Sequence, residues 1–398
     1  MYQYKRKSIL LALVGLVFMA FCSCEDAEYS VLENQAFFAQ TKTNANTTQK
    51  LIVEDEGVTE TSFNVQLSSP AETAAKFEIQ LDQEALDRYN TENFTTYKML
   101  PTSGYAMTSK ELNIEAGQTL SEAVNITVKP FTEEQKANAE KFALPLKLVS
   151  KDGRQSVLNS GGSMIYLLDK VVRQAVPSYS ANNPIVFHMK EDFNATQWTV
   201  EFCVNIDKLG TKVGEMNNQQ LFSGWGSDGG EIFTRFGDAP IEGNRMNIKT
   251  QGSQMNSNMK FAINTWYHIA IVCTGTSLSL YVNGVLDNTV ALPGKAVNID
   301  KDNWHAGNSD DERFTYLKGN VMMSEIRVWT KALSQPQIAN NMYAADPNSE
   351  GLYAYFKMDE GSGNSFSDVR KNGNTALVPQ PLLYRDIVWT PDVRIDGK

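Results

Sequence analysis

The residues best suited to chemistry in this chain are one aromatic side chain and several polar ones that follow it. Trp225 lies in the run Gly224-Trp225-Gly226-Ser227-Asp228, which shows no apolar periodicity. Aromatic rings stack on the apolar C–H faces of sugars, while carboxylates, amides and arginines bind sugar hydroxyls. We therefore predict contacts with a glycan from Trp225, Asp228, Arg235, Asn244, Arg245, Trp304 and Arg313.

Each of these candidates also has a purely structural interpretation. A tryptophan between glycines is either a platform for a sugar or a lid over the apolar core, and the sequence leaves both open for Trp225. The polar candidates would then be a solvated rim of neighbouring loops.

Residues for glycosidic bond hydrolysis are harder to find. That reaction needs two carboxylates placed across the bond. No strand carries an E-x-D-x-x-E pattern, and Glu201 is the lone carboxylate of its apolar run. Asp359 and Glu360 are adjacent, so a strand would point them to opposite faces. We predict that the chain is not an enzyme.

Histidines and cysteines show no metal or catalytic spacing either. His188, His268 and His305 lack a partner at the spacing of a metal site or a catalytic triad. Cys203 and Cys273 lie in strand-like runs without a CxxC pattern, so a disulfide and two buried thiols both fit.

The charge of the chain excludes one class of partner. The 398 residues carry a formal net charge of -10. Nucleic-acid binding depends on clustered lysine and arginine, so we predict no nucleic-acid partner. Neutral sugars are compatible with an acidic surface.

The elements that would position the candidates are nearly all β from about residue 179 onward. The run Trp198–Ile206 alternates large apolar residues with smaller or polar ones, as a strand with one buried face does. Asn283-Gly284 predicts a tight hairpin. Glycines and asparagines between Gly224 and Asn258 predict long irregular loops. One helix is expected over Gln335–Met342, capped by Ser334.

The first half of the chain predicts a separate β-rich domain over residues 36–172. Ser62–Leu67 and Ala123–Val128 alternate as strands. Asp82 is a suitable N-cap for one clear helix. The size and pattern are those of an immunoglobulin-like sandwich.

The order of several short blocks in the second half resembles a laminin-G/concanavalin A-like domain. The similarity predicts an all-β chain, in which an immunoglobulin-like β-sandwich precedes a concanavalin A-like (laminin-G) jelly-roll sandwich over residues 178–398. The blocks are Trp198–Phe202, Asn264–Ala270, Leu278–Gly284, Gly319–Trp329 with Ala332–Ser334, and Tyr355–Gly363.

The first domain resembles a domain-of-unknown-function family at the N-terminus of Bacteroidota surface lipoproteins. The resemblance implies a glycan-utilisation system in which the protein lies beside an outer-membrane importer. The matching segments are Leu86–Asn90, Leu100-Pro101, Leu112–Gly117 and Phe142–Leu146.

The N-terminus resembles the signal peptide of a bacterial lipoprotein. Lys5-Arg6-Lys7 precede an apolar run, Ile9–Ala20, which is too short to be a comfortable membrane span. The run ends near Ser23-Cys24, similar to a lipobox, which implies a covalent lipid on Cys24. We predict a signal peptide over residues 1–23, a tether over residues 24–35, and an outer-membrane lipoprotein at the cell surface.

Laminin-G-like domains often hold calcium, which the resemblance makes a candidate cofactor. Calcium prefers several oxygen ligands, and the best cluster is Asp310, Asp311 and Glu312. The alternative is a solvated acidic turn.

Together these features predict a surface lipoprotein that captures oligosaccharide for import. The alternatives are a protein-binding adhesion module, a glycoside hydrolase and a purely structural envelope protein.

Overall fold

The computed structural model of the chain describes residues 33–42, 47–137, 140–307, 317–379 and 385–396. Strands predominate in both halves, as the sequence predicts. Among these residues, no helix combines the length and the apolar character needed to cross a membrane. The two halves have separate apolar cores.

The first domain consists of twelve strands and two helices among the described residues. The helices are α1 (Gln83–Asn93) and α2 (Glu133–Ala137). The strands are β1 (Gln35–Phe38), β2 (Thr48–Val53), β3 (Thr59–Phe63), β4 (Val65–Leu67), β5 (Ala75–Leu81), β6 (Tyr97–Met99), β7 (Tyr105–Met107), β8 (Glu111–Ile114), β9 (Val124–Val128), β10 (Lys141–Ser150), β11 (Ser156–Val157) and β12 (Ser163–Lys170).

These strands form one six-stranded sheet and two three-stranded sheets. The larger sheet has the order β2-β12-β10-β5-β8, with β6 beside β10, and the smaller ones are β11-β1-β4 and β3-β9-β7. Their inward faces enclose the core, where the rings of Phe38 and Phe63 meet edge to face at 5.3 Å. The predicted cap of α1 is confirmed, because Ala85 N donates to Asp82 Oδ1 at 3.0 Å.

The second domain consists of nineteen strands and one helix among the described residues. Its helix is α3 (Gln335–Asn340). The strands are β13 (Arg173–Tyr179), β14 (Ile185–His188), β15 (Phe193–Ala195), β16 (Trp198–Ile206), β17 (Gln219–Gln220), β18 (Phe222–Trp225), β19 (Glu231–Asp238), β20 (Ile241–Thr250), β21 (Ser253–Asn256), β22 (Tyr267–Cys273), β23 (Ser277–Val282), β24 (Val285–Ala291), β25 (Val297–Ile299), β26 (Trp304–Ala306), β27 (Val321–Trp329), β28 (Leu352–Phe356), β29 (Ser365–Ser367), β30 (Thr375–Leu377) and β31 (Val388–Arg394).

The strands of this second domain form a two-stranded sheet, β15-β25, and two large sheets. One has eight strands, in the order β24-β23-β22-β16-β27-β13-β31 with β28 beside β27. The other has nine, in the order β21-β20-β19-β18-β26-β14-β30-β29 with β17 beside β19. Their facing side chains fill one core, which is the arrangement of a β-sandwich.

Strand β16 is buried on both faces, which differs from the half-polar face that its alternation predicts. Trp198, Val200 and Phe202 point into the main core. The opposite face of this sheet lies beneath α3 and the segment after it, where Trp329, Ile338 and Tyr355 form a second apolar cluster. The polar side chains of β16 are therefore enclosed.

Helix α3 is held at both ends. Its capping box is confirmed, since Ser334 N donates to Gln337 Oε1 at 2.9 Å. The helix ends at Asn340, two residues earlier than predicted, because Asn341 has left helical geometry. Its C-terminal carbonyls face the first domain, where the ammonium of Lys50 donates to Ala339 O at 2.8 Å and that of Lys141 donates to Asn340 O. The two domains thus meet at the end of α3.

The hairpin between β23 and β24 turns at Asn283-Gly284, as predicted, and both residues have positive φ. We expect Gly284→Ala to lower the free energy of unfolding by about 2–4 kcal/mol. The added Cβ would lie 2.9 Å from Ala339 Cβ, and φ is +76°. Gly363→Ala is the control, because φ is +80° there but no atom lies within 4 Å. Urea unfolding measures both variants. Equal decreases in their free energies of unfolding would show that the contact between Gly284 and α3 adds nothing to the effect.

Candidate functional site

The segment between residues 224 and 258 is regular, so the prediction of long irregular loops there is wrong. Strands β18 to β21 form a continuous antiparallel part of the nine-stranded sheet. One side of each strand packs into the core, and the other carries polar and aromatic residues. That outward side, which we call the polar face, consists of Trp225, Glu231, Phe233, Arg235, Asn247, Lys249, Asn256 and His305.

Trp225 lies at the end of β18 and is half-buried. Its ring centroid is 5.6 Å from that of Phe233 and 5.9 Å from that of His305. Two neighbouring rings limit its rotamers, so an aromatic surface is fixed in place before any ligand arrives. The lid interpretation requires Trp225 to close the main apolar core, but the ring is not part of that cluster.

A row of hydrogen-bonding side chains crosses the middle of the polar face. Arg235, Asn247 and Asn256 are direct neighbours across β19, β20 and β21. The Arg235 Nε donates to Asn247 Oδ1 at 3.0 Å, and Asn247 Nδ2 donates to Asn256 Oδ1 at 2.7 Å. The guanidinium also pairs with Asp238 at 2.8 Å and lies over the Phe233 ring at 5.0 Å. The row is rigid because each of its side chains is hydrogen-bonded to the next.

The edges of the polar face are more accessible than its middle. Asn247 and His305 are each 1% exposed and form a floor, whereas Phe233, Lys249 and Asn256 are only half-buried. Lys249 and Glu231 pair at 3.8 Å across the strands. The half-buried amide and ammonium groups at the edges, Asn256 and Lys249, can bind hydroxyl groups while a ring stacks next to them.

Asp228 lies in the tight turn that follows Trp225. Its carboxylate accepts a hydrogen bond from Asn298 Nδ2 at 2.6 Å and one from Gly230 N at 2.8 Å. These bonds lower the pKa of the carboxyl. Asp228 therefore fixes the turn against β25. Its carboxylate is exposed and can accept further hydrogen bonds from solvent or a ligand.

Asn244 and Arg245 separate to opposite faces of β20, because side chains alternate along a strand. Asn244 is half-buried and lies on the same side of β20 as Met246, away from the polar face, so its contact with a glycan stays a prediction. Arg245 lies on the outer side, where Nε donates to Ser257 O at 2.7 Å and Nη1 is 3.8 Å from Glu242. Arg245 borders the polar face.

Trp304 is fully buried, so the predicted sugar contact there is wrong. Its ring stacks on Phe222 at 5.4 Å and meets Phe193 at 5.7 Å in the main core. A ring enclosed by both sheets cannot offer a face to a ligand.

The remaining predicted site residues lie outside the described residues. These are Cys24, the calcium candidates Asp310, Asp311 and Glu312, and Arg313. Among the residues that are described, no group of three or more histidine, cysteine, aspartate or glutamate side chains could hold a metal ion.

Sequence reasoning missed Phe233, Asn247, Asn256 and His305. The available signal was the alternation of Phe233 and Arg235 with buried Ile232, Thr234 and Phe236. This alternation is hard to recognise because glycines, which are common in loops, surround it.

The opposite side of the sandwich holds a buried ionic network beneath α3. Glu201 Oε2 accepts from the Trp329 indole at 2.7 Å and lies 3.4 Å from Arg327 Nε. His268 Nε2 is 3.4 Å from Glu201 Oε1. Burial alone would raise the pKa of Glu201, but Arg327, His268 and Trp329 outweigh it and lower that pKa. All four side chains are almost completely enclosed, so this carboxylate stabilises the fold and does not meet substrate.

Glu325 lies beside this network and gives the fold a pH dependence. Burial raises the pKa of its carboxyl from the ordinary 4.5 to about 7, against the effects of Arg327 and the Tyr355 hydroxyl. The folded state therefore keeps this proton to higher pH than the unfolded state does. The resulting stabilisation is complete below pH 4.5 and is lost as the pH rises to about 7.

We therefore expect Glu325→Gln, which stays neutral, to become more stable relative to the wild type as the pH rises. Between pH 5 and pH 8 the difference in free energy of unfolding should shift in favour of the variant by on the order of 2 kcal/mol. Urea unfolding at both pH values measures it, with exposed Glu350→Gln as the control. A difference that does not change with pH would show that Glu325 ionises normally.

The two cysteines that the structure describes are free thiols. Cys203 lies in the network beneath α3 and Cys273 in the main core, and both are buried. Of the two alternatives left open by the sequence, the buried thiols are the one observed.

Comparisons with known proteins agree with this architecture. Residues 180–339 match the Laminin_G_3 family model, described as the concanavalin A-like lectin/glucanases superfamily. Residues 32–155 match a family model for an N-terminal domain. No curated protein matches the chain.

The solved structures that match the chain include proteins from bacteria and an arthropod. A candidate carbohydrate-binding protein from Bacteroides ovatus has 20% identity and a TM-score of 0.52, and the match covers 91% of this chain and 99% of that one. The SAP-like pentraxin of Limulus polyphemus has 16% identity and a TM-score of 0.35, with 52% and 95% covered. EndoBT-3987 of Bacteroides thetaiotamicron, solved with a Man5GlcNAc product, has 18% identity and a TM-score of 0.27, with 30% and 28% covered. The Bacteroides ovatus protein is similar in fold, and at 20% identity the likeness concerns the fold alone.

Proposed function

Because residues 180–339 are a concanavalin A-like lectin/glucanase domain, we propose that the chain binds an oligosaccharide on its polar face. The observation that supports this most is the pairing of the Trp225 ring with the fixed row of Arg235, Asn247 and Asn256. The ring offers an apolar surface to one sugar, and the half-buried side chains of Asn256 and Lys249 offer hydrogen bonds to the hydroxyls of the next. This combination is typical of sugar recognition.

We prefer a binding role to hydrolysis because two carboxylates of the polar face and its border are ion-paired. Glu231 pairs with Lys249, and Asp238 pairs with Arg235. A general acid needs a raised pKa and a general base needs a free oxygen, and an ion-paired carboxylate is poorly suited to either. We therefore propose capture of a glycan without cleavage.

The proposal extends to where the protein acts. We propose an outer-membrane lipoprotein, anchored through Cys24, that passes oligosaccharide to an outer-membrane importer. This part is supported by the basic start, the apolar run and the cysteine at the end of it. Cys24→Ser should move the protein from the membrane fraction to the soluble fraction of cells, and an unchanged membrane fraction would contradict the anchor.

A glycan array tests the binding function. The chain from Glu25 onward should bind a restricted set of oligosaccharides above background, in parallel measurements with calcium and with a chelator. Loss of binding with the chelator would add a calcium ion to the proposal. A folded protein that binds none of the glycans would contradict the proposal and favour a protein-binding module.

A further inference from the structure

A cavity of about 410 Å³ lies where the two domains meet. Its walls come from β2, β10 and β12 of the first domain, from the linker into β13, and from α3, β27 and the end of β28. These second-domain elements belong to the eight-stranded sheet or cover it, so the cavity is on the opposite side of the sandwich from the polar face. Its volume is within the range of small-molecule sites.

The cavity is held open by contacts that do not depend on a ligand. Lys50 and Lys141 bind the carbonyls at the end of α3, and the Tyr89 hydroxyl meets Asn340 Oδ1 at 3.4 Å. A second bond joins the Lys141 ammonium to Asn341 Oδ1 at 2.9 Å. The walls are therefore fixed relative to each other, which lowers the cost of binding.

Several lysine side chains line this cavity. Lys50, Lys141, Lys170 and Lys357 all line it. The pKa of Lys141 is lowered to about 8, mainly by burial, with repulsion from Lys50, Arg327 and Lys170 acting in the same direction and Asp169 opposing it. Burial and the charge of Lys357 likewise lower the pKa of Lys170. An anion among these ammonium groups would relieve their repulsion.

Most carboxylates in the walls are already engaged. Glu140 pairs with Lys98, and Asp55 lies 3.6 Å from Arg173. Asp169 accepts from the Tyr97 hydroxyl at 3.0 Å. Glu325 accepts from the Tyr355 hydroxyl at 2.5 Å, and its raised pKa keeps it partly protonated near neutral pH. Asp359 is the remaining wall carboxylate. The Tyr97 hydroxyl is neutral, so Asp169 keeps its charge, and the four lysines are opposed by Asp169, Asp359 and the ionised part of Glu325.

The walls also offer groups that suit a sugar ring. Tyr343 and Phe131 are the aromatic residues in the walls, and Gln135, Gln174 and Asn340 carry amides. Rings stack on the C–H face of a sugar, and amides can bind its hydroxyls.

We propose that this interdomain cavity binds an acidic sugar, one or two units long, whose carboxylate lies among Lys141, Lys170 and Lys357. This site is additional to the polar face and does not depend on the function proposed for that face. The first domain then contributes part of the walls of a binding site.

Isothermal titration of the chain from Glu25 onward with glucuronate and galacturonate tests the proposal. At least one uronate should bind, and at least tenfold more tightly than glucose, galactose, acetate or inorganic phosphate. Lys357→Gln should weaken that binding at least tenfold, since its ammonium donates none of the hydrogen bonds seen among the described residues. Lys170→Gln serves as a second cavity variant, and exposed Lys295→Gln as the control.

Trp225→Ala should leave uronate binding unchanged, which separates this site from the polar face. The absence of heat with either uronate would overturn the proposal. If acetate or phosphate binds as tightly as the uronate, the ligand is not a sugar acid. If Lys357→Gln and Lys295→Gln lose equal affinity for the uronate, the ligand does not bind in this cavity.

Discussion

Trp225→Ala should weaken binding of the selected oligosaccharide by roughly 10- to 100-fold, about 1.5–3 kcal/mol. The indole is the largest apolar surface at the edge of the polar face, and Phe233 and His305 hold it in position. Its removal takes away the stacking surface and leaves the row of Arg235 and Asn247 in place. Isothermal titration of both proteins with one oligosaccharide measures the effect.

Trp389→Ala is a matched control for that measurement. Trp389 is also half-buried beside another ring, Phe366 at 5.8 Å, but it lies on β31 of the eight-stranded sheet. The Trp389→Ala variant should bind the oligosaccharide with the same affinity as the wild type. Equal affinity of Trp225→Ala and wild type would show that the sugar does not stack on this ring.

Arg327→Met should lower the free energy of unfolding of the second domain by about 3–5 kcal/mol. The guanidinium is fully buried, donates to Asn341 O at 2.7 Å and Met342 O at 2.9 Å, and lies 3.4 Å from Glu201. Its loss leaves the Glu201 charge enclosed with fewer partners and releases the segment after α3. Thermal unfolding should show a fall in Tm of about 10 °C.

Two further variants identify the source of that loss. Exposed Arg385→Met should leave the Tm almost unchanged. Adding Glu201→Gln to Arg327→Met should cost less than the sum of the two single changes, because the double variant holds no unpaired buried carboxylate. Strict additivity would contradict direct coupling between the two side chains.

The strands and caps that depend on apolar spacing could be predicted from the sequence. Trp198–Ile206, the turn at Asn283-Gly284 and the caps at Asp82 and Ser334 all follow from local patterns that the packing reinforces. At these places local preference and tertiary packing agree.

The polar face could be predicted only in part, because strand β20 and the turn between β18 and β19 carry glycines for reasons of tertiary contact. A Cβ on Gly226 or Gly230 would lie 2.2 Å from Asn298 O, and one on Gly243 would lie 2.0 Å from Glu215 O. These neighbours are distant in sequence, so the glycines suggest loops when the strands are considered alone. Trp225 and Arg235 were proposed from residue type alone.

Trp304 shows the opposite error. Its sequence neighbours are polar, but β26 passes between β18 and β14, and its side chain fills the space between the two sheets. Local composition does not report which side of a central strand faces the core.

The crystal structure of the protein with a bound oligosaccharide selected on the array tests the central claim most directly. The account predicts a sugar ring stacked on Trp225, with hydroxyls of the same oligosaccharide within hydrogen-bond distance of Asn256 or Lys249. An oligosaccharide bound elsewhere on the molecule, with the polar face empty, would contradict it.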